Sequence, residues 1–273
     1  RYGFGRAGLR PGSDERRMTD LTMSPWLIAL ITFVTGLVAG ILNTIAGGGG
    51  MITMPVLLAV GLPPQFALGT NKFQASVGSF TSTWYFVRKG IVRLREIKLG
   101  LTLTAVGAVL GSWTVQQIHS EVLADVIPFL LLSIAVYSIF SPALGMRDAE
   151  AKMSEQRFYA IFGFGFGFYD GFFGPGVGTF WAMAFVMLLG YNLMKATAYT
   201  KVMNFTSNLI SFAMFWYGGF VIFGSGIAMA IGQMIGSQIG SQLVMKKGTE
   251  FIRPIFITMV LATTLKLIYD RYF

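Results

Sequence analysis

The sequence predicts an all-α polytopic membrane protein made of two inverted repeats. Each repeat has about five helical segments, including a Gly-rich broken or re-entrant helix hairpin. Three observations carry this expectation. The first is composition. Of 273 residues, 54% are hydrophobic and 12% charged. Lys72 is the only charged residue between Asp20 and Arg88, and none occurs from Val202 to Met245. Such runs far exceed the roughly 20 apolar residues that one crossing needs, and a helix satisfies its own backbone in lipid. The second is repetition. Asn43 and Asp170 are 127 residues apart, as are Gly47 and Gly174. An offset of 129 then relates Gly61/Gly190, Lys72/Lys201, Gly90/Gly219, Gly107/Gly236 and Gly111/Gly240. The third is loop charge, which reverses between matched loops. The loop after the third segment carries Arg88, Lys89, Arg93, Arg95 and Lys98, whereas its counterpart, Gly218 to Ser225, has no charge. The next loop has Glu121 and Asp125 in the first copy and Lys246, Lys247 and Arg253 in the second. Matched loops on opposite sides of the membrane mean inverted repeats.

The elements follow in order. Residues 1–20 are polar and basic and read as a disordered tail, or as one added to the natural chain; Met18 or Met23 is a candidate start. No charged region, apolar core and small-residue cleavage site mark a removable signal peptide there. The first repeat, residues 21–146, has segments at 25–46, 51–61, 65–88, 98–118 and 122–141. The second, residues 147–273, has them at 157–173, 178–190, 194–217, 222–245 and 252–271. The second segment of each repeat is short. Eleven residues of helix reach ~16 Å, about half of the ~30 Å hydrocarbon core. The first two segments are therefore a hairpin meeting at a glycine break inside the membrane. Glycines at four-residue spacing, such as Gly36/Gly40 and Gly232/Gly236/Gly240, read as close helix packing. The expected orientation puts the Arg88–Lys98 loop in the cytoplasm and Gly218–Ser225 outside.

The net charge of +9 does not indicate nucleic acid, because the basic residues sit in short loops between apolar runs. There is no cysteine, which excludes disulfides and thiolate chemistry. The single histidine, His119, falls at a loop, and ordinary zinc constellations are absent. No nucleophile–base pair is visible, so the expectation is a non-enzyme without cofactor or metal. The alternating Phe162, Phe164, Phe166 and Phe168 read as lipid-facing or packing residues.

Two kinds of residue suit an anion. The breaks at Gly47, Gly48, Gly49 and Gly50, and at Gly174 and Gly176, free backbone N–H groups at the start of half-helices, where the dipole is positive. Lys72 and Lys201 lie about eight residues into their helices, ~12 Å from the end. An ammonium at that depth faces a cavity or a partner. Asn204 and Asn208 share a helical face with Lys201, and Asn71 adjoins Lys72. Asn43 lies just before the first break. Asp170, the only carboxylate between Arg157 and Glu250, has two roles open to it: proton carrier, or fixed counter-charge to a lysine. Lys195 and Lys266 fall at interfaces.

These motifs resemble a known family. The run Asn43-Thr44-Ile45-Ala46-Gly47-Gly48-Gly49-Gly50, with Thr70-Asn71-Lys72, is similar to the first signature of the TauE/SafE sulfite exporter family, in particular its YfcA-like branch. The run Tyr169-Asp170-Gly171-Phe172-Phe173-Gly174-Pro175-Gly176, with Thr200-Lys201 and Asn204 to Asn208, is similar to the second. The resemblance covers residues 30–271 and implies an inner-membrane, multi-pass permease that moves sulfite or small organosulfonates, usually outward. It implies roles for Gly47 to Gly50, Asn71, Lys72, Asp170, Gly174, Gly176, Lys201 and Asn204. Family members often carry Asp at the position of Asn43, which puts a two-carboxylate proton path in doubt here. A secondary carrier for small oxyanions is the leading expectation, and a passive anion channel using the same residues is the alternative. The expected partners are a small anion and membrane lipid, with a homodimer left open.

Overall fold

A computed structural model describes residues 24–119, 122, 123, 127 and 149–247. All regular structure among them is helical. Helix α1 (Pro25–Ala46) starts where Ser24 caps the Leu27 N–H and Pro25 takes a first-turn position. It ends at Gly47, whose φ of 79° is a left-handed conformation that favours glycine. Helix α2 (Gly50–Ala59) has only 10 residues. Helices α3 (Pro64–Arg88) and α4 (Lys98–Gln116) complete the first half. The second half opens with α5 (Glu155–Phe158), which passes through a π-helical stretch, Tyr159–Gly163, into α6 (Phe164–Phe172). Helices α7 (Val177–Leu189), α8 (Leu193–Tyr217, capped by Asn192) and α9 (Phe223–Lys247) follow.

Eight of the ten expected segments thus form, with ends moved by at most two residues. The second expected segment stops early, at Ala59, because Gly61 takes a φ of 90° and turns the chain. The expected segments 122–141 and 252–271, the tail 1–20, the junction at 146–147 and Lys266 lie wholly or largely outside the described residues, as do Glu121, Asp125 and Arg253. The matched glycines share a conformation: Gly61 and Gly190, Gly90 and Gly219, and Gly47 and Gly174 all have positive φ.

Glycine faces bring the halves together. On α1, Gly36 lies against the backbone of Met229, and Gly40 against that of Gln233 and Ser237. In return Gly232, Gly236 and Gly240 of α9 lie against Phe33, Leu37 and Ile41. The order of contacts makes the two helices parallel. Helices α4 and α6 pack the same way: Gly107 and Gly111 on Phe164 and Phe168, Gly167 and Gly171 on Thr104 and Ala108. In each case the fourth expected segment of one half meets the first expected segment of the other, at backbone contact that small residues permit. Helices α3 and α8 cross in opposite directions, with Phe73 on Phe212 and Phe80 on Phe205.

Among the described residues, α1 and α4 are long and apolar enough to cross a bilayer by themselves. Helices α3 and α8 are as long, but carry buried polar residues along their length. The outer surface is apolar, with exposed Trp26, Trp84, Trp113 and Trp216 near helix ends. That placement matches the headgroup level of a membrane. Arg88 lies over the Trp84 ring at 5.5 Å, and the Lys195 Nζ over Tyr191 at 3.8 Å, as suits basic groups at an interface. Phe164 is exposed, while Phe162 and Phe166 pack against Trp181 and its neighbours, so these rings form no cage.

Candidate functional site

The two buried lysines meet the two glycine breaks at the centre of the helix bundle. Lys72 on α3 is 1% exposed. Its Nζ donates to the Asp170 carbonyl oxygen, and to Asp170 Oδ1 at 2.6 Å. Asp170, near the end of α6, is equally buried, and its other oxygen, Oδ2, accepts from the Ser207 hydroxyl of α8. Gly174 has a φ of 101°, and the atoms nearest to a side chain placed there are Lys72 Nζ and Asp170 Oδ1. Only glycine fits that turn and that space together.

Lys201 on α8 is also 1% exposed. Its Nζ donates to the Asn43 carbonyl oxygen, which also accepts the Gly47 N–H at 2.8 Å. No carboxylate lies within ion-pair distance of Lys201 among the described residues. The breaks touch one another. Gly47 lies against the backbone of Gly178 and Thr179, and Gly50 against Pro175. Thr179 Oγ1 donates to the Ala46 carbonyl at 2.8 Å, and Tyr169 Oη to that of Pro175 at 2.8 Å. Asn204 Nδ2 sits beside Gly178, while Asn204 Oδ1 and the Thr200 hydroxyl are buried without a partner among the described residues. The N–H groups of the buried residues Gly48, Gly49, Gly176 and Gly178 make none of the backbone hydrogen bonds found outside the helices. Buried donors of this kind are rare in folded proteins and are open to an oxyanion.

The expected site residues are therefore mostly brought together: Asn43, Gly47, Gly48, Gly49, Gly50, Lys72, Asp170, Gly174, Gly176, Lys201 and Asn204. Two others make their hydrogen bonds at its edge, Asn71 through Thr53, whose hydroxyl also donates to the Gly49 carbonyl at 3.2 Å. Asn71 accepts through Oδ1 from Thr53 of α2 at 2.6 Å and from Gln74 at 2.7 Å. Asn208 donates to the Asn204 carbonyl of its own helix at 2.7 Å. Four residues join the site that the sequence did not single out: Ser207, Gly178, Thr179 and Thr53. A signal existed for Ser207, which follows Asn204 by one helical turn. His119 is exposed, and no three acidic or histidine residues cluster as metal ligands among the described residues.

The family described as "Sulfite exporter TauE/SafE" matches residues 32–267. The chain belongs to the TauE/SafE family. Relatives agree along nearly the whole length. The Escherichia coli (strain K12) protein named "Probable membrane transporter protein YfcA" is 43% identical over 250 residues, covering 92% of this chain and 93% of the relative. A Haemophilus influenzae protein named "Probable membrane transporter protein" is 45% identical over 241 residues, covering 88% and 94%. A Sinorhizobium protein named "Probable membrane transporter protein ORF9" is 40% identical over 253 residues, covering 93% and 96%. No solved structure matches the chain. The protein is a helical membrane transporter, as the motif resemblance implied.

Proposed function

We propose that the protein is a secondary carrier that exports small oxyanions, sulfite or an organosulfonate, across the inner membrane. It works by alternating access around a site between two inverted repeats, and it has no enzymatic activity. One observation carries the choice of substrate charge. Lys201 is a buried lysine with no carboxylate within ion-pair distance among the described residues, and the breaks beside it hold N–H groups with no backbone acceptor there. A cation inside a bilayer costs ~2.5 kcal/mol or more. A bound anion offsets that cost and satisfies the free donors. The exchanged packing of α1 on α9 and α4 on α6 supports two halves that rock against each other. Export needs no proton: an inside-negative potential of about 100 mV favours exit of one negative charge by ~2.3 kcal/mol.

The test uses purified protein and proteoliposomes. Sulfite, or one of sulfoacetate, taurine and thiosulfate, is expected to raise the melting temperature, and labelled anion is expected to exchange against unlabelled anion inside. If none of these compounds stabilises the protein, the substrate class is wrong. Continuous single-channel current without counterflow would make the protein a channel.

The orientation has its own test, eased by the lack of native cysteine. Arg95→Cys, in an exposed loop, is expected to react with an impermeant thiol reagent only after permeabilisation. Gly224→Cys, exposed and with open space at its Cβ, is expected to react in intact cells. The reverse pattern overturns the arrangement.

A further inference from the structure

The two halves of the site are built alike and charged differently. Lys72 reaches the backbone carbonyl of Asp170, and Lys201 reaches that of Asn43. Asp170 and Asn43 are matched residues, each four positions before its glycine turn. In the second half the carboxylate is wholly committed, with Oδ1 on Lys72 and Oδ2 on Ser207. In the first half the matched side chain is an uncharged amide, packed over Gly49. The position matched to Ser207 is Gly78, which has no hydroxyl. A rocking motion can exchange which half faces which side of the membrane. It cannot place a carboxylate at position 43, so the difference is chemical and persists through the cycle.

Unpartnered buried polar atoms occur on both sides of this comparison, Gln74 Oε1 on α3 among them, and one lies on the face of Lys201. Asn204, one helical turn from Lys201 on α8, has a buried oxygen without a partner among the described residues. The Gly178 N–H beside Asn204 is also free. Around Lys72, by contrast, both carboxylate oxygens and the ammonium are bonded to one another. Of the two buried lysines, Lys72 is paired with Asp170, whereas Lys201 has no carboxylate within ion-pair distance among the described residues.

We infer that Lys201 alone supplies the counter-charge for the substrate, and that the substrate is a monoanion such as hydrogensulfite or a monosulfonate. This rests on the carrier reading above. Lys72 is a positioning residue: it ties α3 to the end of α6 and sets the break at Gly174. A free amide oxygen at Asn204 also suits a ligand that carries its own proton, as hydrogensulfite does and the sulfate dianion does not.

The test is anion binding to the purified full chain, followed by calorimetry and thermal shift. Methanesulfonate, a monoanion, is expected to bind the unaltered protein at least about tenfold more tightly than sulfate, a dianion of similar size. Asn43→Asp places beside Lys201 the carboxylate that Asp170 offers Lys72. It is expected to weaken methanesulfonate binding by about tenfold or more at pH 7.5, without lowering the ligand-free melting temperature. Lys201→Met is expected to lose at least as much. Lys72→Met/Asp170→Asn, which removes both charges of the pair, is expected to lose less than either. Sulfate binding as tightly as methanesulfonate, or equal losses in Lys201→Met and the double variant, overturns the assignment and leaves the carrier reading standing. Failure of every oxyanion to bind the unaltered protein defeats the carrier reading itself. The valence comparison uses unaltered protein, so it decides the question even where a variant does not fold.

Discussion

Lys72→Met is expected to destabilise the protein by about 3–5 kcal/mol, and Asp170→Asn by a similar amount. Both partners are buried, and the pair is a short one, at 2.6 Å. Removing the ammonium leaves the buried Asp170 carboxylate with the Ser207 hydroxyl as its one side-chain donor among the described residues. Removing the carboxylate leaves two uncompensated lysines near the centre of the bundle. Lys72→Met/Asp170→Asn is expected to recover most of the loss, because replacing a whole buried pair by neutral groups is often close to neutral. Melting temperatures and unfolding curves of the three variants in one detergent check this double-mutant cycle. Additive losses in the double variant would mean that the two groups do not act as a pair.

That ion pair shows where sequence reasoning reaches and where it stops. Lys72, Lys201 and Asp170 stand out because charges are scarce in this chain, so each demands a partner. The partner itself is invisible, since Lys72 and Asp170 are 98 residues apart. They meet only because α6, α3 and α8 converge. The glycine spacings marked helix faces correctly, but a face does not name its mate. Nothing local says that α1 lies on α9 and α4 on α6. The breaks were legible because Gly47 and Gly174 need a backbone conformation that other residues rarely adopt.

Neighbours along the chain take different partners at Asn71 and Lys72. Adjacent residues on a helix point about 100° apart. Lys72 therefore faces Asp170, while Asn71 turns to Thr53 and Gln74 on the α2 side. Asn208 shares the face of Lys201, as the spacing of seven implies, yet its amide bonds a carbonyl of its own helix. Periodicity gives direction; it does not say which hydrogen bond a side chain makes. The short α2 and α7 were legible from length alone. Their contact at Gly47 and Gly178 was not, because each glycine sits in a sequence that explains it locally.

That contact supports the second large effect. Gly178→Val is expected to abolish transport and to lower stability by several kcal/mol. A Cβ built at residue 178 falls 2.5 Å from the Gly47 Cα and 2.9 Å from the Asn204 Nδ2. The first of these is backbone and cannot step aside as a flexible side chain would. Inserting bulk at a packed contact costs about 1–3 kcal/mol or more, and valine adds two methyl groups beyond the Cβ. Gly47→Ala attacks the same contact from the other side. It adds the cost of a left-handed residue, about 1–2 kcal/mol, to a Cβ directed at the Gly178 and Thr179 backbone. Both changes force the glycine breaks apart and move the free N–H groups away from Lys201. Gly165→Ala is the matched control. It lies in α6 with nothing within 4 Å of its Cβ, and alanine favours a helix over glycine by up to about 1 kcal/mol. Transport assays and melting temperatures of the three variants separate a crowded contact from a general intolerance of side chains at glycine. If Gly178→Val transports like the unaltered protein while Gly165→Ala does not, the two breaks do not form the working centre of this transporter.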